Sequence, residues 1–237
     1  MVLTAPGQPF QLLNVPDPTP NEGEAVAKVL TCGAGLTIQH IRAGRTKVDY
    51  PRIIGHEITA EIVALGRGVT NLNVGDPVTA YYYLTCGECR WCLNDRETLC
   101  DKFSGYVGKS IDGGYAEFIK LPANNFLRLP RNLDYKKYAA ELGVITDAIA
   151  TPIKVTKKTR MKTDDVVAII GAGGGLGLHM VMASVWAGAK VIAVDINDNK
   201  LQTCSEAGAF ETINVSNVNL TEALLALTGG DGVDVVI

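Results

Sequence analysis

Four of the six cysteines are crowded into one short stretch, Cys86-x-x-Cys89-x-x-Cys92 and then, after seven residues, Cys100. Thiolates this close, in a loop that contains Gly87, can wrap a single tetrahedral Zn²⁺. Two disulfides are the competing use of four cysteines, but nothing in the sequence points to an oxidising compartment. An iron–sulfur cluster would usually space its last cysteine differently. Four protein thiolates fill the tetrahedron, so this metal would be a staple with no open position for chemistry. Cys32 and Cys204 are left over and are expected to be buried small apolar residues.

A second constellation is the turn Gly171-Ala172-Gly173-Gly174-Gly175-Leu176-Gly177, set between the apolar run Val166–Ile170 and an apolar stretch from Leu178 to Ala187. Glycines let a backbone approach a pyrophosphate, and a helix beginning there offers free N–H groups and the positive end of its dipole. Counted back from Gly177, the G-x-G-x-x-G pattern reads Ala172, Gly174, Gly177, with Gly171 and Gly173 as extra glycines. Lys190–Asp195 then reads as a second buried strand ending in a carboxylate. Asp195 lies 18 residues past Gly177, about where an acid accepts hydrogen bonds from adenosine ribose hydroxyls. A carboxylate there repels a 2′-phosphate, which favours NAD(H) over NADP(H). The alternatives are weaker: a mere packing turn leaves Asp195 unexplained, and a P-loop would need Gly-Lys-Ser/Thr.

These groups need elements to position them. Prolines at 6, 9, 16, 18 and 20 keep the first twenty residues extended or turning. Ala25–Cys32, Glu57–Leu65, Asp76–Tyr82, Tyr115–Leu121 and Phe126–Leu129 read as strands between Gly, Pro and Asn turns. Thr37–Ala43 reads as a short helix stopped by Gly44. The first ~130 residues are therefore mostly β. From Asp134 the texture turns to helix, then to alternating strands and helices: helix from Asn199 to Ala207, strand from Glu211 to Val215, helix from Leu220 to Leu227, and a strand opening at Val233. Leu178–Ala187 is apolar almost all round, as in a buried helix closed by Gly188. The expected domains are 1–133 and 134–237. Only about four strands of a doubly wound sheet are present, where six are usual, so the chain is expected to stop inside that domain.

Composition narrows the partners. The sequence has 237 residues, 47% hydrophobic and 20% charged, with a formal net charge of −3, ordinary for a soluble globular protein. That balance gives no reason to expect nucleic acid or an anionic membrane. The run Lys154, Lys157, Lys158, Arg160, Lys162 reads as a solvated helix face and loop. The N-terminus lacks the basic and apolar regions of a signal peptide, and no apolar run is long enough for a membrane span. A cytoplasmic location is expected.

With the cysteine lobe, the Gly55-His56-Glu57 triplet and the dinucleotide segment all in order, the chain resembles the zinc-containing alcohol dehydrogenases of the medium-chain dehydrogenase/reductase family. Cys32-Gly33, Val74-Gly75-Asp76 and Gly113-Gly114-Tyr115-Ala116-Glu117 belong to the same resemblance, which covers essentially all 237 residues. It implies a GroES-like, mostly β catalytic domain followed by a partial Rossmann domain, α/β with a doubly wound parallel sheet. It implies hydride transfer between an alcohol or carbonyl substrate and NAD, the cofactor held by Gly171, Gly173, Gly174, Gly175, Leu176, Gly177, Asp195 and Lys200. It also implies a homo-oligomer for the full-length protein.

The family's catalytic zinc is held by a cysteine, a histidine and usually a second cysteine, with the glutamate of Gly-His-Glu close by. The resemblance gives His56 and Glu57 those roles and places Asp147, in a stretch Thr146–Pro152 read as helix, where the second cysteine is usual. Thr37 and His40 fall at the family's proton-relay positions. The first cysteine is absent: Gly35-Leu36-Thr37-Ile38 stands in place of Cys-x-Thr/Ser-Asp, and Ile38 replaces the aspartate that orients the ligand histidine. Taken without the family, a lone histidine in a turn is more often structural. Three readings follow: a zinc-type alcohol or polyol dehydrogenase, a reductase of activated C=C or C=O bonds that needs no catalytic zinc, and a catalytically silent nucleotide-binding protein.

Overall fold

The N-terminal half is framed by five antiparallel strands in the order β6-β1-β2-β3-β7. The computed structural model describes residues 1–237, dividing into two compact units, Met1–Thr146 and Asp147–Ile237. In chain order the first unit holds β1 (Glu24–Cys32), α1 (Leu36–Arg42), β2 (Ile58–Leu65), β3 (Pro77–Ala80), β4 (Tyr83–Leu84), β5 (Gly105–Tyr106), β6 (Phe118–Pro122), β7 (Phe126–Arg128) and α2 (Ala139–Gly143). Strand alternation builds its core. Ile58, Ala60 and Ile62 of β2 point inward and meet Ala25 and Ala27 of β1, Val78 of β3 and Leu121 of β6. The β1–β2 register slips between Val29 and Thr31, a bulge that turns the chain into Gly33 and α1.

The units divide well past the change of texture at Asp134, because α2 is tied to the β-sheet. The hydroxyls of Thr31 and Thr59 both donate to the Ala139 carbonyl, at 2.7 and 2.8 Å. The strand expected over Tyr115–Leu121 begins only at Phe118, since the N–H groups of Gly113, Gly114 and Tyr115 are taken by the carbonyls of Ile53, Gly55 and Ile54. The expected helical stretch Thr146–Pro152 is also broken. A 3₁₀ turn ends at Thr146, and α3 (Ala150–Thr159) starts after it.

The second unit continues with β8 (Val166–Ile170), α4 (Gly175–Trp186), β9 (Lys190–Asp195), α5 (Asp198–Glu206), β10 (Glu211–Asn214), α6 (Leu220–Leu227) and β11 (Val235–Val236). Its sheet runs β10-β9-β8-β11, parallel at every pairing. The order reverses at β8, so the turn after β8 lies where such sheets bind ligands. α4 is not buried all round: Met180, Val181, Ala183 and Ser184 are buried, while Met182 is 51% and Trp186 82% exposed. A helix on one face of a sheet buries one stripe, whatever its composition. Gly188 does close it, at φ +89°, with its N–H on Val185 O and that of Ala189 on Ser184 O. The basic run is exposed at Lys154, Lys157, Lys158, Arg160 and Lys162. No helix is long and apolar enough to cross a membrane.

Candidate functional site

The four lobe cysteines converge, with their sulfurs all within 4.8 Å of one another. Cys86 Sγ lies 3.5 Å from Cys100 Sγ and 3.9 Å from Cys92 Sγ, and Cys89 Sγ lies 3.5 Å from Cys92 Sγ. A disulfide would bring sulfurs to about 2.05 Å, so these pairs are thiols and the disulfide alternative falls. A zinc with arms of ~2.3 Å would set tetrahedral edges of about 3.8 Å, which these separations fit. The loop also supplies donors to the sulfurs: the Cys86 N–H points at Cys100 Sγ and that of Cys89 at Cys86 Sγ, both at 3.4 Å. Hydrogen bonds from the backbone N–H groups of Cys92 and Asp101 bring the Cys89 thiol down to about 6. Desolvation and the adjoining Cys89 sulfur push Cys92 up to about 12. Crowding of the sulfurs opposes the last deprotonation, a repulsion that a bound dication would offset.

His56 and Glu57 are 6% and 7% exposed and precede β2. Gly55 reaches them at φ +99°, and a Cβ on it would sit 2.6 Å from Cys32 Sγ and 2.7 Å from the Tyr115 ring. The His56 ring packs on Tyr82, centroids 5.0 Å apart. Glu57 O accepts the Gly33 N–H at 2.8 Å, and its carboxylate lies along the segment before α1. A Cβ on Gly33 would be 2.5 Å from Glu57 Oε2, and one on Gly35 would be 3.5 Å from it. The Tyr115 hydroxyl donates to Gly33 O at 3.1 Å. Burial raises Tyr115 to about 12, reinforced by Cys32 and Glu57. Cys32 keeps some exposure, contrary to expectation, and burial holds it neutral with a value of about 12. Cys204 is fully buried as expected.

On α1, Thr37 and His40 are one turn apart. Arg45 Nε donates to His40 Nδ1 at 2.8 Å. A guanidinium only donates, so Nδ1 is the bare nitrogen and a proton on the neutral ring sits on Nε2. Ile38 is 2% exposed and packs with Leu3, Ile41 and Ile54. Asp147 belongs to the second unit and starts the approach to α3, its carbonyl accepting the Thr151 N–H at 3.0 Å and its carboxylate the Thr151 hydroxyl at 3.5 Å.

The glycine turn is built as the spacing requires. Gly171 takes φ +73°, and its N–H and that of Ala172 both donate to Val194 O, at 2.8 and 3.0 Å. A Cβ on Gly177 would fall 2.2 Å from Gly171 O, and one on Gly173 2.4 Å from Lys200 Cβ. α4 starts behind Gly174 with no side-chain cap, so its first N–H groups have no partner within the helix. Nothing lies within 4 Å of where a Gly175 Cβ would be. That open, donor-lined surface fits a pyrophosphate. Asp195 closes the turn: Oδ2 accepts the Gly173 N–H at 2.9 Å, and Oδ1 those of Ile196 and Asn197 at 2.8 and 3.2 Å. Burial alone would raise this carboxyl, but those N–H groups and the Lys200 charge outweigh it and hold it below the ordinary value.

Tyr82, Tyr115 and Arg45 were not legible as site residues. Each reaches the site across loops, and only Arg45, five residues after His40, left any local trace.

Residues 21–131 match the model of the alcohol dehydrogenase GroES-like domain, and residues 175–237 that of the zinc-binding dehydrogenases. An alcohol dehydrogenase of Geobacillus stearothermophilus is 35% identical over 226 residues, covering 94% of this chain. The chain spans 65% of that relative's length. An NAD-dependent alcohol dehydrogenase of Sulfurisphaera tokodaii is 30% identical over 247 residues, covering the whole chain and 70% of the relative. The solved alcohol dehydrogenase of Aeropyrum pernix superposes with a TM-score of 0.90 at 28% identity, covering 99% of this chain and 70% of that one.

Proposed function

The chain belongs to the zinc-containing alcohol dehydrogenases of the medium-chain dehydrogenase/reductase family, and from that membership we propose an NAD-dependent oxidoreductase acting on a small alcohol or carbonyl compound. The observation that carries the proposal is the turn after β8, with the uncapped start of α4 and Asp195 at the end of the adjacent strand. In this reading Gly171–Gly177 receive the pyrophosphate, while Asp195 and Lys200 receive the adenosine ribose. Bound NAD supplies the hydride acceptor. The Asp195 carboxylate, kept ionised by its three N–H partners, repels a 2′-phosphate. The Thr37 hydroxyl passes the alcohol proton outward, and His40 can take it on only at Nδ1 once Arg45 moves off that nitrogen, because Nε2 already carries the ring proton.

The two metal positions differ. Cys86, Cys89, Cys92 and Cys100 fit one structural zinc, which would hold the lobe together. The set at His56 does not fit the family's usual catalytic zinc, because Gly35 contributes no ligand atom and Ile38 is core. Its buried Glu57 carboxylate lies beside the open position at Gly35. The missing ligand at Gly35, with Ile38 in the core, favours as a second reading a reductase of activated C=C or C=O bonds that uses the same hydride geometry without a catalytic metal.

Elemental analysis and cofactor titration test this together. One zinc per chain, with NADH bound more tightly than NADPH, is the expected result. Two zincs would restore the ordinary zinc mechanism, and none would overturn the lobe assignment. Tighter NADPH binding would overturn the role of Asp195.

A further inference from the structure

The segment from Tyr81 to Thr85 connects the two candidate metal positions. It carries Tyr82 against His56 and runs directly into Cys86. Its hydrogen bonding is that of a strand with two different edges. On one edge, Tyr82 O accepts the Val107 N–H at 2.9 Å and Leu84 O that of Ser104 at 3.0 Å. On the other edge there is no partner strand. The carbonyls of Tyr81 and Tyr83 both accept from Asn125 Nδ2, at 2.7 and 2.8 Å, and that of Thr85 accepts from Asn124 Nδ2 at 3.4 Å. The Tyr81 N–H completes the pattern by donating to Asn125 O at 2.8 Å. Carbonyls at every second residue point to one side of a strand, so two consecutive side-chain amides replace a missing ladder.

Asn125 is 2% exposed. Carbonyls only accept, so the atom facing Tyr81 O and Tyr83 O is the NH₂ group. Its Oδ1 is buried with no partner, which marks the side chain as held for its two donors. Asn124 also lies against the metal loop: a Cβ on Gly87 would be 3.2 Å from its Nδ2.

We infer that Asn125, assisted by Asn124, is a positioning residue that couples the cysteine lobe to the His56–Tyr82 contact. An ordered lobe sets the height of Tyr82 on His56, and a loosened strap releases both. The inference rests on the structural-zinc reading for its metal half and on geometry alone for its His56 half.

The test uses Asn125→Asp, which keeps the shape but removes both donors at neutral pH, beside Asn125→Ala and the milder Asn124→Ala. Zinc release to a chromogenic chelator and the ring signals of His56 are read on the same samples. The signals are assigned against His40 and His179 by single His→Asn replacements. Asn125→Asp should release zinc about tenfold faster, the scale for losing an outer support of a metal site. It should also move the His56 signals and leave those of His179 in place. Asn124→Ala, which loses one long bond, should show both effects more weakly and keeps the test alive if the Asn125 variants fail to fold. Zinc released at the unmodified rate, or His56 signals that do not move, overturns the proposal. If the unmodified chain holds no zinc, the metal reading alone fails. The strap is then judged on the metal-free His56 signals, which must still differ between the unmodified chain and Asn125→Asp.

Discussion

Two helices in this chain begin on a glycine without a side-chain cap, and each has a carboxylate close by. α1 starts behind Gly35 at φ −71°, ψ 176°, near Glu57, and α4 starts behind Gly174 at φ −77°, ψ 168°, near Asp195. The backbones match but the reasons for glycine do not. At α4 the turn is closed by contact: a Cβ on Gly177 would strike Gly171 O at 2.2 Å. At α1 a Cβ on Gly35 would meet only Glu57 Oε2, at an ordinary 3.5 Å, in a conformation any residue adopts. Packing demands glycine at Gly177 and, against Glu57, at Gly33, whereas Gly35 alone marks a side chain that is simply missing.

The largest effect should come from Ile38→Asp, the change that looks from sequence like a restored orienting residue. Ile38 lies among Leu3, Ile41 and Ile54, so the carboxylate would be buried without a partner at a cost of about 3–5 kcal/mol. A urea midpoint close to that of the unmodified chain would show that α1 can turn this position outward.

Gly177→Ala should come next. Alanine normally suits a helix better than glycine, but here it overpacks against backbone and should cost about 1–3 kcal/mol, with loss of NADH binding. Melting and titration check both parts, and a stabilised variant would refute the contact argument.

Gly35→Cys should cost under about 1 kcal/mol in stability, since glycine and other N-cap residues differ by that little or less. It should nonetheless raise zinc or cobalt occupancy at His56 by at least about tenfold if a missing ligand is what keeps the site weak. Cobalt absorption with a thiolate charge-transfer band reads this directly, and no band would mean that more than one ligand is lacking.

Gly175→Ala should leave the fold intact or strengthen it by about 0.5 kcal/mol, because that Cβ meets nothing. It should weaken NADH roughly tenfold by crowding the pyrophosphate surface, an overpacking cost of about 1–2 kcal/mol. Unchanged NADH affinity would place the pyrophosphate elsewhere.

The smallest effect concerns Asp195. Its folded value lies below the unfolded one, so its contribution to stability is present above the ordinary carboxylate range and is lost as pH falls through the folded value. Asp195→Asn should flatten the fall in melting temperature between about pH 5 and pH 3. An identical slope would mean that the carboxylate is not held by the Gly173, Ile196 and Asn197 N–H groups in solution.

Read from the sequence alone, both units and their chemistry were largely legible where the signal is local. The spacing of Cys86, Cys89, Cys92 and Cys100 already implied one metal loop, because ligands a few residues apart can only meet by wrapping. Val166–Asp195 implied a strand, a glycine turn, a helix and an acid, because periodicity and turn chemistry act over neighbouring residues. What the tertiary structure decided depends on atoms far apart in the chain. The exposed flank of α4 at Met182 and Trp186, the attachment of α2 through Thr31 and Thr59, and the strap from Asn125 to Tyr81 and Tyr83 leave no local pattern. The sequence could likewise show that Gly35 lacks a thiol and Ile38 a carboxylate. Only packing shows that Gly35 has room for the missing group while Ile38, sealed beside Leu3 and Ile54, has none.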